Sequence, residues 1–258
     1  MKIEVKIILL FIVYIVFSLE CFCIKSKLHM NNLIAKETTI IGENFSSNSF
    51  LNLFSEQCSY DDQGCSNHFK LVDYNGQSYL ECKMLSTDLP FKDDSKTKPR
   101  TELSFKDKML IKNDKEYVVT WNILMKEYSN PAYEFSLFQL FSTIGGPNVM
   151  LRWNNKRYEL YIISTGNKFF PVGELTEDLY QITTWRVSFR ISQGNNGYVR
   201  IQKKLQTETK FSLVGEKTNI PTAYTKNDQT YLKLGIYTQC EKPFDATMLI
   251  NNMTLAEL

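Results

Sequence analysis

Nine residues near the C-terminus, 231–239, alternate between two kinds of side chain. They read Tyr-Leu-Lys-Leu-Gly-Ile-Tyr-Thr-Gln, so that apolar residues and one threonine separate the tyrosines, the lysine, the glycine and the glutamine. Successive side chains of a β-strand point to opposite faces, so the pattern predicts a strand with one apolar and one polar face. Gly235 interrupts the polar face and predicts a gap in which a ligand could lie against the backbone. An ordinary strand with one face in water is the alternative.

Short segments rich in β-branched and aromatic residues fill the rest of the chain, and turn residues such as Gly145–Pro147 separate them. The predicted strands are 118–124, 134–142, 149–153, 158–163, 185–191, 198–205 and 231–239. Hydrophobic and charged contents of 43% and 22% are those of a globular protein and exclude a disordered chain. Many short strands at this spacing favour an all-β sandwich or barrel. The length favours one large jelly-roll domain over residues 24–258.

Residues 1–23 have the pattern of a secretory signal peptide. Lys2 and Lys6 precede an apolar run over 7–18, and residues 21–23 offer a cleavage site. A signal anchor is the alternative, because the run could stretch toward the length of a membrane-spanning helix. We expect a secreted, extracellular monomer that has no membrane partner once the signal is removed.

Four cysteines follow the signal: Cys58, Cys65, Cys82 and Cys240. An even number in an oxidising compartment predicts disulfides, and the short separation of Cys58 and Cys65 makes a local bridge easy. Cys82 would then pair with Cys240, although four cysteines allow three pairings and the sequence does not choose firmly among them. Zinc is the poorer explanation, because no cysteines are closely paired and the chain has only 2 histidines. We expect no metal and no cofactor.

Two further features concern partners and modification. Asn44 and Asn252 begin Asn-x-Ser/Thr sequences, which are possible glycosylation sites in a secreted protein. The net charge of +2 identifies no partner by itself, since a polyanion binder would have to concentrate its cations locally. We expect no nucleic-acid partner.

Two more stretches carry polar residues in strand-like surroundings. In Arg100–Ser104, a strand places Arg100, Glu102 and Ser104 on one face. This pattern suggests a guanidinium positioned by a carboxylate, although a surface ion pair of little energetic value is the alternative. The segment 134–142 is nearly all apolar, and Gln139 is its exception. A buried amide must be hydrogen-bonded to a neighbouring strand or face a groove.

Together, these three stretches resemble polysaccharide lyases of the alginate lyase, glucuronan lyase and heparin lyase type. Arg-Thr-Glu-Leu at 100–103, Gln139 two positions before an aromatic residue, and the 231–239 motif occur in the order seen in those enzymes. The similarity extends from about Cys58 to the C-terminus, with a last strand near 247–255. It implies a concanavalin A-like β-jelly roll with a groove across its concave sheet. It also implies β-elimination on an acidic polysaccharide.

The resemblance implies roles for four catalytic residues. Arg100 and Gln139 would bind the uronate carboxylate and stabilise the charge that develops there when the C5 proton is removed. Tyr237 would protonate the leaving O4 oxygen. Lys233 and Arg100 would favour the phenolate form of Tyr237, so that it also serves as base.

Further residues would surround this centre. Glu102 would orient Arg100, and Tyr231 and Gln239 would line the groove and bind substrate. Alginate lyases of this type carry a histidine two residues after the glutamine, where this chain has Phe141. His68 is the candidate for a second base, although a lone histidine more often satisfies a local hydrogen bond.

The missing histidine leaves two hypotheses. In the first, Tyr237 performs both proton transfers and the chain is a lyase. In the second, the chain is a catalytically inactive, glycan-binding protein with the same fold. A single acid–base residue predicts syn elimination, which suits glucuronate- or mannuronate-containing polymers because their C5 proton and O4 oxygen share one face of the ring.

Overall fold

The computed structural model describes a β-sandwich whose elements fall mostly after residue 54. It describes residues 38–43, 54–59, 64–88, 98–106, 110–129, 134–154, 157–162, 169–174, 178, 180–225, 229–238, 240 and 243–258, and only the backbone of 38–43, 169 and 173–174. The predicted signal peptide, Asn44 and Gln239 lie outside these residues. Within them, no helix has the length and apolarity needed to cross a membrane.

Fifteen strands and one short 3-10 helix, Gly64–Asn67, form the described regular structure. The strands are β1 Thr38–Glu43, β2 Ser55–Cys58, β3 Phe69–Tyr74, β4 Gln77–Met84, β5 Arg100–Ser104, β6 Glu116–Tyr128, β7 Phe135–Ser142, β8 Pro147–Asn154, β9 Arg157–Ile162, β10 Phe169–Glu174, β11 Thr183–Arg190, β12 Gly197–Leu205, β13 Ser212–Ile220, β14 Thr230–Tyr237 and β15 Ala246–Glu257.

The strands pair in two antiparallel sheets. The eight-stranded sheet has the order β13-β12-β11-β6-β15-β4-β3, with β1 also paired to β15. The seven-stranded sheet has the order β10-β9-β8-β7-β14-β5-β2. Neighbours such as β5 and β14 are far apart in sequence, as expected of a jelly roll rather than a chain of hairpins.

One hydrophobic cluster takes side chains from both sheets and fills the space between them. Trp121 and Trp185 of the eight-stranded sheet belong to it, as do Phe138, Trp153 and Leu234 of the seven-stranded sheet. The rings of Trp121 and Phe138 stack with centroids 5.2 Å apart, which joins the two sheets directly. Burying each such aromatic side chain contributes about 2 kcal/mol. The alternating burial along β11 leaves every second side chain outside this core.

The predicted all-β sandwich is confirmed, and each predicted strand has a counterpart within a few residues of its expected bounds. The pattern missed several strands, among them β2 and β13. β2 has four residues, and β13 is exposed or half-buried along its length. Both lie at sheet edges, where a strand buries too little surface to show a hydrophobic alternation.

One predicted disulfide is present and the other is not. Cys58 at the end of β2 is bonded to Cys65 in the 3-10 helix. Cys82 and Cys240 are free thiols, so their predicted pairing is wrong. Cys82 is fully buried in β4 of the eight-stranded sheet, opposite Met248, whereas Cys240 is half-buried and follows β14 of the other sheet. A disulfide needs closely placed, facing Cβ atoms, and no bond joins these two positions.

Candidate active site

Strand β14 lies inside the seven-stranded sheet between β7 and β5, and it has the two faces that its alternation predicts. Leu232, Leu234 and Ile236 belong to the hydrophobic core. Tyr231 and Lys233 alternate with these residues and therefore point to the outer face of the sheet. We call this outer face of the seven-stranded sheet the site face.

The strand register arranges the site face in rows that run across the strands. One row contains Arg100, Tyr237, Ser136, Arg152 and Glu159, from β5 through β14, β7 and β8 to β9. The next row contains Ser104, Lys233, Gln139, Met150 and Tyr161 on the same strands. Register alone therefore brings together residues that are more than 130 positions apart in the chain.

Arg100 and Tyr237 are direct cross-strand neighbours in this register. The guanidinium carbon of Arg100 lies 5.1 Å from the centre of the Tyr237 ring, a cation–π arrangement. Ser59 Oγ accepts a hydrogen bond of 2.9 Å from the Arg100 backbone nitrogen, and Ser59 N donates one of 2.6 Å to the Arg100 carbonyl. These bonds fix the start of β5, and Arg100 is only 9% exposed.

Lys233 reaches from β14 across the sheet to its edge. Its ammonium donates a hydrogen bond of 2.8 Å to Gln57 Oε1 on β2 and lies 3.6 Å from Glu102 Oε2 on β5. It also lies 4.6 Å from the centre of the Phe141 ring on β7. Burial lowers the pKa of Lys233 below its usual range and Arg100 adds to this effect, while Glu102 opposes both.

Gly235 does not leave a gap for a ligand, contrary to our expectation. It has a φ of 136°, and a Cβ there would lie 2.2 Å from the Thr101 carbonyl oxygen and 2.7 Å from Glu102 Cα. The close approach of β5 therefore requires glycine at this position. Gln139 Nε2 on β7 donates a 2.5 Å hydrogen bond to Glu102 Oε1 on β5. This bond crosses over β14 beside Gly235, so protein side chains occupy the gap.

We expected Glu102 to orient Arg100, but its carboxylate has other partners. In the described part of the chain its carboxylate contacts Gln139 and Lys233 and not the guanidinium of Arg100. Glu102 and Gln139 are each 1% exposed, and Gln139 Oε1 has no hydrogen-bond partner among the described residues. A buried acceptor without a donor costs free energy. Arg100, Glu102, Gln139, Lys233 and Tyr237 are called the site cluster below.

Aromatic rings stand where the family histidine is missing. Phe141 packs against Tyr231 with ring centroids 5.6 Å apart. The Lys233 ammonium lies over the face of the Phe141 ring. His68 does not join them. It is 1% exposed beside the eight-stranded sheet, where its Nδ1 donates a 2.8 Å hydrogen bond to the Lys83 carbonyl and lies 3.6 Å from Asp88. His68 as a second base stays a prediction, although its burial and this local hydrogen bond favour a structural role.

A second cluster of charge lies further along the same rows and is called the Glu159 cluster. Arg152 forms ion pairs of 2.7 Å with both Glu134 and Glu159, and Arg157 contacts Glu159 at 2.8 Å. Asn154 donates a further bond of 3.2 Å to Glu159. Burial raises the pKa of Glu159, but the hydrogen bonds from Arg152, Asn154 and Arg157 and the charge of Arg152 outweigh it, so that this pKa is lowered.

Sequence reasoning missed Gln57, Ser136 and Arg152. None belongs to a motif, and their places in the site follow only from strand pairing across the sheet. Asn252 is exposed in β15, and its glycosylation stays a prediction. No cluster of three or more His, Cys, Asp or Glu residues suited to a metal is present in the part of the chain that the structure describes.

No protein-family model and no curated protein matches the sequence. Among solved structures, the endo-β-1,4-glucuronan lyase of the fungus Trichoderma reesei is similar with a TM-score of 0.61 and 11% identity, over 86% of this chain and 96% of the lyase. The family 14 alginate lyase of Aplysia kurodai is similar with a TM-score of 0.60 and 10% identity, over 86% and 100% of the two chains. An alginate lyase of polysaccharide lyase family 7 has a TM-score of 0.56 and 12% identity, over 81% and 96%.

These likenesses confirm the fold that the sequence resemblance implied. At identities of 10–12%, they show that this chain shares the β-sandwich architecture of glucuronan and alginate lyases over nearly their whole length. Fold does not fix function, so any activity depends on the residues of the site cluster.

Proposed function

We propose that the chain is a secreted polysaccharide lyase that cleaves uronic-acid-containing polymers, such as glucuronan or mannuronate-rich alginate, by β-elimination. The observation that carries this proposal is the pairing of Tyr237 with the Arg100 guanidinium at 5.1 Å. This pair lies on the same sheet face as Lys233 and Gln139, in a fold shared with enzymes of this class. A guanidinium beside a phenol favours the phenolate, which is the form that acts as a base.

Tyr237 carries both proton transfers. Its phenolate removes the proton from C5 of the uronate, and the electrons of the C5–H bond form the C4=C5 double bond. The bond between C4 and O4 breaks, and the leaving O4 oxygen takes the proton back from the Tyr237 phenol. The residue returns to its starting state, and no other acid or base is needed.

Arg100 is the residue that stabilises the developing charge. Loss of the C5 proton spreads negative charge into a carboxylate that is already negative. A positioned guanidinium stabilises that charge by donating hydrogen bonds to both carboxylate oxygens. We expected Gln139 to share this role, but its amide nitrogen is bonded to Glu102. We therefore propose that Gln139 holds the Glu102 carboxylate away from the substrate, and that Lys233 adds a second positive charge.

Phenylalanine at position 141 leaves Tyr237 as the one proposed proton-transfer residue, which suits syn elimination. One residue can take the C5 proton and return it to O4 only when both lie on the same face of the sugar ring, as in glucuronate and mannuronate. In guluronate and galacturonate they lie on opposite faces, so that a second proton-transfer group is required. Phe141 offers no such group, and His68 is buried with its Nδ1 hydrogen-bonded to the Lys83 carbonyl.

Ultraviolet absorbance of the conjugated C4=C5 double bond tests the reaction directly. Purified protein is incubated with glucuronan, polymannuronate, polyguluronate and a galacturonan. We expect absorbance to rise with glucuronan or polymannuronate and to stay flat with the other two. Cleavage without absorbance would identify a hydrolase, and faster cleavage of polyguluronate would show that a second base exists.

A catalytically inactive glycan-binding protein is the second candidate. Two observations favour it: Phe141 replaces a proton-transfer residue, and Gln139 and Glu102 are each only 1% exposed. Calorimetric titration with uronan oligosaccharides separates the two candidates. Binding without any absorbance change, across the polymer panel and across pH, identifies the binding protein.

A further inference from the structure

We propose that Gln57, held in place by the Cys58–Cys65 disulfide, is the positioning residue that fixes the Lys233 ammonium in the site. Its role in the reaction rests on the proposed lyase function, but its contact with Lys233 does not. Gln57 belongs to no sequence motif that the reaction uses.

The hydrogen bond from Lys233 to Gln57 is important because Lys233 is almost completely buried. The Lys233 side chain is 5% exposed, and its ammonium donates a 2.8 Å hydrogen bond to Gln57 Oε1. Glu102 Oε2, at 3.6 Å, is too distant for a strong hydrogen bond. A buried ammonium needs acceptors in place of water, and hydrogen bonds to charged groups are worth about 1.5–3 kcal/mol.

Gln57 lies on a short strand at the edge of its sheet. β2 contains four residues and, among the described strands, pairs with β5 on one side. In this register Gln57 is opposite Glu102, which is itself opposite Gly235. Lys233 therefore has to reach over β5 to meet Gln57, and a small displacement of β2 would break the bond.

The disulfide supplies a covalent anchor for this strand. Cys58 follows Gln57 directly and is bonded to Cys65 in the 3-10 helix Gly64–Asn67. That helix leads into β3 of the eight-stranded sheet. Thus a covalent link from the other sheet ends one residue from the acceptor of the Lys233 ammonium.

The charged groups around Lys233 all act on its protonation. From β5 and the residues that follow it, Glu102 favours the ammonium, whereas Arg100 and Lys106 oppose it. The facing residues of β7, Gln139 and Phe141, carry no charge. Gln57 itself is neutral, so its effect comes only from the hydrogen bond that it accepts.

Variants of similar side-chain shape test the inference by a measurement that does not depend on enzymatic activity. Lysine side chains are labelled with carbon-13 and titrated by NMR, and the Lys233 signal is identified by its loss in Lys233→Arg. Gln57→Met keeps the shape but removes the acceptor, so we expect a lower pKa for Lys233. Gln57→Glu keeps an acceptor and adds negative charge, so we expect a higher one. Gln202→Met on β12 of the other sheet is the matched control and should shift nothing.

The anchor is tested with the double variant Cys58→Ser/Cys65→Ser. We expect its Lys233 titration to move in the same direction as that of Gln57→Met, because β2 no longer holds Gln57 in register. If Lys233 titrates in Gln57→Met as it does in the wild type, the inference is wrong. If Gln57→Met shifts the Lys233 titration but the double variant titrates as the wild type does, the disulfide does not anchor Gln57.

Kinetics then distinguish this inference from the proposed function. Gln57→Met should reduce kcat about tenfold and shift its pH profile, with KM changed less, since one charge-assisted hydrogen bond is lost. An NMR shift in a protein that cleaves no uronan would support the Gln57 contact and contradict the lyase proposal. Lyase activity with no NMR shift would do the reverse.

Discussion

The site cluster and the Glu159 cluster lie on the same face of one sheet and differ in how completely their polar atoms are paired. In the Glu159 cluster two guanidiniums meet two carboxylates, and both oxygens of Glu159 are bound by side chains. In the site cluster Glu102 Oε2 lies 3.6 Å from the Lys233 ammonium, and neither this oxygen nor Gln139 Oε1 has a hydrogen-bond partner among the described residues. The buried acceptors of the site cluster are therefore less completely satisfied than those of Glu159.

Under the proposed function, this difference separates a structural network from a substrate-binding one. A fully satisfied buried network makes the sheet rigid but has nothing left to offer a ligand. An incompletely satisfied one costs stability and keeps groups that can meet a substrate. A uronate carboxylate requires cations, and the site cluster contains Arg100 and Lys233, so under the proposed function the acidic polymer should bind there.

The largest expected effect comes from Tyr237→Phe. The ring that stacks on Arg100 remains, but the hydroxyl group that we propose transfers the proton is lost. We expect kcat to fall by at least about 100-fold with little change in oligosaccharide binding, measured by ultraviolet absorbance and calorimetry. Tyr198→Phe, on the other sheet, is the control. Wild-type turnover in Tyr237→Phe would rule out the proposed mechanism.

Glu159→Gln should have the largest effect on stability. It leaves Arg152 and Arg157 without one of their buried counter-charges, which typically costs about 3 kcal/mol. Urea denaturation should show this loss while kcat stays close to that of the wild type. Glu116→Gln, which breaks the half-exposed pair with Arg190 on the other sheet, should cost less than about 1 kcal/mol. A large fall in kcat with unchanged stability would reverse the roles of the two clusters.

Acid should remove the same contribution of Glu159. Its pKa is lowered in the folded state from 4.5, so its stabilisation is present above that value and is lost as pH falls through the lower, folded value. We expect the difference in unfolding free energy between wild type and Glu159→Gln to be constant at neutral pH and to shrink below about pH 4.5. A difference that grows on acidification would contradict the pairing.

Glu102→Gln should be the mildest of these changes. The new amide can still bond to Gln139, so we expect a loss of about 1 kcal/mol in unfolding free energy. The pKa of Lys233 should fall further, because Glu102 is the carboxylate that raises it. Urea denaturation and NMR titration check the two results. A stability loss equal to that of Glu159→Gln would show that the two clusters do not differ in pairing.

The sequence alone predicted the fold class and the polar side of each site strand. Alternation in 231–239 and in Arg100–Ser104 depends only on the two-residue period of a strand, which is a local property. The strong hydrophobic periodicity of the central strands arises because both sheets bury one face, so their existence follows from the pattern. Edge strands such as β2 bury little apolar surface, so their sequences show no clear hydrophobic alternation and did not predict a strand.

Tertiary structure decided which of these residues meet. Pairing of β5, β14 and β7 places Glu102 against Gln139 over Gly235, and the reach of Lys233 to Gln57 depends on β2 joining the same sheet. The same long-range order leaves Cys82 and Cys240 as free thiols and places His68 against the Lys83 carbonyl of β4. Strand order and register come from non-local packing of the whole chain, so motifs identify candidate residues but not their partners.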